Sequence, residues 1–367
     1  MAQESIYEHG GNIYAAARLM GKNAEQFLDF SANINPFGLP VSVRRCLLDS
    51  IDDVVNYPDA EAWALKEAIG RHYGVSVDQI TVGNGAVELL YVLCHALRPQ
   101  QVMVAAPTFS EYERAARAAK AVIRYMPLAP DNGFTLPVER IIAALPFIDM
   151  VFVGNPNNPT GTVLTAGELE PLLYAAAKND VTVVVDESFI DFLFDDERYT
   201  CRTLLARYPN LVVLHSLTKF YAIPGLRLGF ALAAPRLAAI MHAGKDPWNV
   251  NALAQAAGVA ALQDKEYRNK SRQYVAGAKK ALYDGLAQIP GLKPFPPAAN
   301  FVFIDVAGTG MTAAALRKAM MEEHVLIRDC SNYPGLTPYY VRVAVKKEED
   351  NKKLLRILAA VCGGQND

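Results

Sequence analysis

Residues Val181-Thr182-Val183-Val184-Val185 form an unbroken β-branched run that ends in an acid, Asp186. Such a run has no polar face, so it folds as a strand covered on both sides, as in parallel sheets flanked by helices. Similar runs recur between Gln79 and Leu232: Gln79–Val82, Gln101–Ala105, Val122–Tyr125, Met150–Val153, Leu211–Leu214 and Leu228–Leu232 read as strands. Helix-length segments such as Ala86–Leu97, Ser110–Ala119 and Ala166–Lys178 lie between them. This alternation predicts an α/β domain with a mostly parallel central sheet and helices on both faces.

The pattern changes after Pro247. Asn249–Gln263 and Lys265–Gln288 read as long helices, followed by a strand at Phe301–Asp305, a helix at Met311–Glu323, strands near Val325–Arg328 and Tyr340–Val345, and a last helix from Lys347 to Ala360. These segments predict a smaller α+β domain. The expected boundaries are 1–45 for an N-terminal arm and part of the small domain, 46–247 for the large domain, 248–290 for connecting helices and 291–367 for the small C-terminal domain.

Composition narrows the function. The 36 basic and 38 acidic side chains give a net charge of -2, without the basic excess of a dedicated nucleic-acid binder. Met1–Asn12 has no apolar signal region, and stretches such as Phe230–Pro235 are too short to span a bilayer. Cys46, Cys94, Cys201, Cys330 and Cys362 show no CxxC spacing, so neither a disulfide framework nor a metal site is expected. Reduced thiols and no leader predict a cytoplasmic protein.

Four stretches carry chemistry. Gly83-Asn84-Gly85-Ala86 turns from a strand into a helix, where free backbone N–H groups and the helix dipole suit a phosphate. Asn155-Pro156-Asn157-Asn158-Pro159-Thr160-Gly161 is a rigid turn that either presents amides or bonds them to itself. Asp186 stands at the tip of a buried strand and needs a cation, either a structural partner or a bound ring. Ser216-Leu217-Thr218-Lys219 with Arg227 pairs an imine-forming amine with a phosphate cradle.

In this order, the Asn–Asp–Lys–Arg series resembles the fold-type-I pyridoxal-phosphate enzymes of the aspartate aminotransferase superfamily over nearly the whole chain. Tyr57-Pro58-Asp59 and Asn158-Pro159-Thr160-Gly161 are similar to signatures of the histidinol-phosphate aminotransferase branch. Asp186-Glu187-Ser188-Phe189 departs from that branch, placing Phe189 where a tyrosine phenol usually meets the cofactor 3′ oxygen. The stretches His9-Gly10-Gly11-Asn12-Ile13, Asp29–Pro36, Asp186–Phe192, Ser216–Leu228, Pro247–Asn251 and Ser331–Leu336 closely resemble the L-threonine-O-3-phosphate decarboxylases of the cobalamin pathway.

The resemblance implies the cofactor pyridoxal 5′-phosphate, with Lys219 as the Schiff-base lysine and Asp186 as partner of the pyridine nitrogen. Asn158 would bond the 3′ oxygen and Phe109 would stack on the ring. Gly85, Ala86, Ser216, Thr218 and Arg227 would hold the phosphate, and Tyr57 would reach it from the partner subunit of a homodimer. For the substrate, a small phosphorylated amino acid, it adds His9, Asn33 and Asn158. Arg328 and Arg342 supply the second anion site, because an arginine fork suits phosphate and carboxylate alike. The activity implied is decarboxylation of L-threonine O-3-phosphate to (R)-1-amino-2-propanol O-2-phosphate. Histidinol-phosphate transamination, a preference for L-serine O-phosphate and a regulatory module without turnover are the alternatives.

Overall fold

The computed structural model describes residues 9–363. Among them, the strands in chain order are β1 (Leu28–Asp29), β2 (Ile80–Gly83), β3 (Gln101–Ala106), β4 (Val122–Pro127), β5 (Met150–Gly154), β6 (Thr182–Asp186) and β7 (Leu211–Ser216). They continue with β8 (Gly229–Ala233), β9 (Lys293–Pro294), β10 (Phe301–Asp305), β11 (Val325–Leu326), β12 (Arg328–Asp329) and β13 (Tyr340–Ala344). The main sheet has the order β2-β8-β7-β6-β5-β3-β4. Its strands run parallel except β8, which is antiparallel to both neighbours.

The β-branched run forms β6, in the middle of this sheet. Val183, Val184 and Val185 are at most 1% exposed, and each such burial contributes about 1.5–3 kcal/mol. Alternate residues feed opposite cores: Val183 and Val185 join one apolar cluster, Val184 the other. The helix Ala166–Lys178 that leads into β6 is started by a capping box. Thr165 Oγ1 accepts the Glu168 amide at 3.2 Å and Glu168 Oε2 accepts the Thr165 amide at 2.7 Å.

The remaining strands build a smaller lobe, with β12-β13-β10-β9 antiparallel. The N-terminal segment joins it: β1 lies parallel to β11, and the Ala344 amide donates to Phe30 O at 2.8 Å. All five residues of β13 are buried. The alternation legible in its sequence is therefore not core against solvent. Val341 and Val343 pack into the lobe, while Tyr340 joins the large-domain core and Arg342 turns to the cavity between the two. No helix among the described residues is long and apolar enough to cross a membrane.

Asp186 and Ser216 end β6 and β7, so their side chains stand together at the carboxyl edge of the sheet, where ligands of open α/β sheets bind.

Candidate active site

A cavity of about 650 Å³ opens at that edge. Asp186, Ser216, Thr218, Lys219, Arg227, Ala86, Phe109 and Asn158 line one part of it, and His9, Asn33, Arg328 and Arg342 line another. The structure thus brings together all but two of the residues singled out from the sequence. Gly85 and Tyr57 are not among the lining residues. Tyr57 is 80% exposed and stacks on Trp248, ring centroids 4.6 Å apart.

Lys219 follows β7 in a single helical turn, Leu217–Phe220. Its Nζ donates to Ser216 Oγ at 3.2 Å and lies 5.3 Å from the centroid of the Phe189 ring. Burial pulls the amine down to about 8; Asp186 opposes that fall, and Arg227 and Arg342 add to it. Lysine is thereby brought toward the neutral form that attacks a carbonyl.

Asp186 is 7% exposed, and its carboxylate accepts Tyr112 Oη at 2.8 Å and the Ser188 amide at 2.9 Å. Tyr112 lies flat on Phe152, with centroids 5.3 Å apart and planes 5° from parallel. The phenol is pushed well above its usual range by burial and by Asp186, so it stays a hydrogen-bond donor. Two donors thus hold the carboxyl group at the cavity edge, with the Lys219 amine close enough to feel it.

The phosphate cradle is built from the opposite direction. Gly85 (φ 84°) precedes the helix Ala86–Leu97, whose first residues Ala86 and Val87 face the cavity. A Cβ at Gly85 would stand 2.6 Å from Arg227 Nη2 and displace the guanidinium, while the backbone at φ 84° is what calls for glycine. Arg227 itself has φ 58°, a strained conformation for a side chain other than glycine. Ser216 Oγ and Thr218 Oγ1 are 2.8 Å apart. An exposed cation, two hydroxyls and a helix N-terminus converge, as an anion requires.

The three asparagines divide. Asn155 is used up on Leu164 and the Tyr199 carbonyl, and Asn157 on Thr108, Thr160 and the Pro107 carbonyl, so both fix the turn. Asn158 faces the cavity, where its Oδ1 accepts Arg342 Nη1. An amide whose oxygen is so engaged presents its NH2 to a ligand. Phe189 packs edge-on against Phe301, centroids 5.1 Å apart, and offers no hydroxyl.

Arg342 is 5% exposed; its Nη2 donates to Ser31 O at 2.7 Å, and its Nε is buried without a protein partner. Burial holds this guanidinium below its ordinary value. Arg328 lies on the neighbouring strand in direct register with Arg342, over the Tyr333 ring at 5.3 Å. Asn33 Oδ1 is likewise buried and unpartnered. Two guanidinium groups in register, with unpartnered polar atoms of Arg342 and Asn33, thus concentrate positive charge on the lining of the cavity.

Sequence reasoning missed Tyr112, Glu111, Ser31 and Tyr333. Tyr112 and Glu111 sit in the first turn of the helix Glu111–Ala118, one residue past the noted Phe109-Ser110. Tyr112 meets Asp186, and Glu111, besides its local pair with Arg114, meets Tyr91 and His9, partners distant in the chain.

These residues fit pyridoxal 5′-phosphate: a depressed lysine amine, a buried carboxyl group for a pyridine nitrogen and a glycine turn beside an arginine and two hydroxyls lie around one cavity. The family model for aminotransferase class I and II matches residues 25–358. The chain is 38% identical over 357 residues to threonine-phosphate decarboxylase of Salmonella typhimurium, covering 97% of each. The solved histidinol-phosphate aminotransferase from Clostridium acetobutylicum superposes with a TM-score of 0.86 at 30% identity, over 92% of this chain and 99% of that one. The L-threonine-O-3-phosphate decarboxylase from Porphyromonas gingivalis gives a TM-score of 0.81 at 27% identity, over 91% and 99%.

Proposed function

The chain belongs to the class I and II aminotransferase family, and we propose that it uses pyridoxal 5′-phosphate to decarboxylate L-threonine O-3-phosphate to (R)-1-amino-2-propanol O-2-phosphate. The observation that carries this reading is the 38% identity to a threonine-phosphate decarboxylase across 97% of both chains. The arginine pair Arg328 and Arg342 supports it from the side of the substrate.

Pyridoxal 5′-phosphate, when bound, supplies a carbonyl for an imine and a protonated ring that accepts an electron pair released at Cα. The protein's part is to hold, orient and move protons. Lys219 supplies the amine, at about 8 rather than at the ordinary 10.5. Asp186, oriented by Tyr112 and the Ser188 amide, would pair with the pyridine nitrogen and hold a proton there. Gly85, Ala86, Ser216, Thr218 and Arg227 take the cofactor phosphate, Phe109 takes the ring face and Asn158 the 3′ oxygen.

The grip of the protein on the substrate would decide which bond at Cα is oriented for breaking. An arginine that grips the α-carboxylate leaves the Cα–H bond to break. Arg328, Arg342, His9 and Asn33 gripping the side-chain phosphate leave the carboxylate to depart as carbon dioxide. Lys219 Nζ or a nearby acid would then supply the proton that takes the place of the carboxylate at Cα. The site lies in one chain apart from Tyr57. Its exposed ring, beside the exposed Ile51, Val54, Val55 and Trp63, supports a homodimer in which each Tyr57 serves the partner's cofactor phosphate.

Holoenzyme incubated with L-threonine O-3-phosphate and no keto acid is expected to release carbon dioxide steadily, and Lys219→Ala to abolish it. A parallel incubation with histidinol phosphate and 2-oxoglutarate is followed for glutamate. Glutamate without carbon dioxide would overturn the decarboxylase and return Arg342 to gripping a carboxylate, the reading favoured by the 0.86 TM-score to a histidinol-phosphate aminotransferase. L-serine O-phosphate in a third tube measures what the extra methyl is worth, about 1–3 kcal/mol in a fitted pocket.

A further inference from the structure

One buried carboxylate at the cavity has no part in the chemistry above. Glu111 is 5% exposed, in the helix turn that follows Phe109. Its Oε1 lies 2.8 Å from His9 Nε2 and accepts Arg114 Nη1 at 2.7 Å, while Oε2 accepts Tyr91 Oη at 3.2 Å. Arg114 offsets its charge, so the carboxylate does not repel an incoming phosphate.

His9 belongs to the N-terminal arm, and the arm is fixed a second time on the far wall. The Gly11 amide donates to Ser31 Oγ at 2.7 Å, and a Cβ at Gly10 would stand 2.1 Å from Ser31 O. That carbonyl is the one that Arg342 grips. The strap His9-Gly10-Gly11 thus crosses from the Glu111 helix to the segment that seats Arg342, and all three residues line the cavity.

We propose that Glu111 is a positioning residue that fastens His9, and with it the N-terminal arm, across the mouth of the cavity, acting on the substrate only through His9. The inference rests on the reading of His9 as a contact of the substrate phosphate. With Nε2 turned to the carboxylate, Nδ1 is the ring atom that meets the ligand. Burial raises the Glu111 carboxyl, but the hydrogen bonds from His9 and Arg114 outweigh it and hold the group below its ordinary value. It therefore stays an acceptor at neutral pH.

The test uses holoenzyme and two readouts. Without substrate, hydrogen exchange is measured in the arm helix Ile13–Met20 for wild type and Glu111→Gln, with the β6 strand as the internal control. Faster exchange in the arm by about tenfold, with β6 unchanged, is the expected result. Equal exchange in the arm, or faster exchange in β6 as well, would overturn the proposal. With substrate, a double-mutant cycle for kcat/KM compares Glu111→Gln, His9→Asn and the pair. Glu111→Gln is expected to raise KM more than it lowers kcat and to add nothing once His9 is replaced. Additive losses would mean that Glu111 acts by another route. If no protein releases carbon dioxide, the decarboxylase reading falls while the exchange data still decide the role of Glu111.

Discussion

The amine of Lys219 offers a titration that is separate from turnover. Burial lowers it from 10.5 to about 8 against the pull of the Asp186 charge. At pH 7 an amine at about 8 is neutral in about one molecule in eleven, against about one in three thousand for an ordinary lysine, a gain of about 300-fold in reactive base. Apoprotein treated with trace acetic anhydride from pH 6 to 11 should acetylate Lys219, read by mass spectrometry against exposed lysines, with a half-point near 8. Asp186→Asn removes the anion that favours the ammonium form, so the half-point should move lower; Arg342→Met removes a cation and should move it higher. The same depression acts on stability. Between about pH 8 and 10.5 the unfolded chain holds a proton at Lys219 that the folded chain does not, so apoprotein should gain up to about 3 kcal/mol as the pH rises through that window. A half-point near 10, or an upward shift in Asp186→Asn, would refute the reasoning.

Tyr112→Phe keeps the ring on Phe152 and deletes the hydroxyl 2.8 Å from Asp186. A hydrogen bond to a charged group is worth about 1.5–3 kcal/mol, so kcat should fall about 10- to 100-fold, and an unchanged kcat would remove Tyr112 from the account. Gly85→Ala places a methyl 2.6 Å from Arg227 Nη2 on a backbone at φ 84°. Strain of about 1–3 kcal/mol, if released in the unbound turn, should weaken cofactor binding about 5- to 150-fold by equilibrium dialysis. Arg342→Lys exchanges a fork that reaches both Ser31 O and Asn158 for a point charge. It should lower kcat/KM at least about 100-fold while the cofactor absorbance persists.

What the sequence disclosed depended on how locally each feature is encoded. The β-branched run before Asp186 dictates a strand buried on both faces, and the strand tip follows. The turn at Gly85 and the stretch from Ser216 to Arg227 each carry their groups within a dozen residues, so the cradle and the lysine were legible. Phe189 was legible as a departure, and the fold places its ring edge-on against Phe301. Asparagine turns were ambiguous: only the fold reveals that Asn155 and Asn157 fix the loop while Asn158 faces the cavity. The contacts left hidden are the long ones. Tyr112 meets Asp186 across 74 residues, His9 meets Glu111 across 102, and Arg342 meets Ser31 across 311. Nothing in the local pattern of Phe109-Ser110-Glu111-Tyr112 announces partners that the topology alone delivers. Similarly, Tyr340–Ala344 alternates as a half-exposed strand would, yet both of its faces are covered because the lobe packs against the large domain.

The central claim is that the bond broken at Cα leads to the carboxylate and not to hydrogen. L-Threonine O-3-phosphate carrying deuterium at Cα, turned over in ordinary water, tests this by mass spectrometry of the product amine. The account predicts one deuterium retained in every molecule of aminopropanol phosphate, with one hydrogen from solvent in place of the carboxylate. Loss of deuterium from the recovered substrate, or a keto acid formed without carbon dioxide, would contradict it.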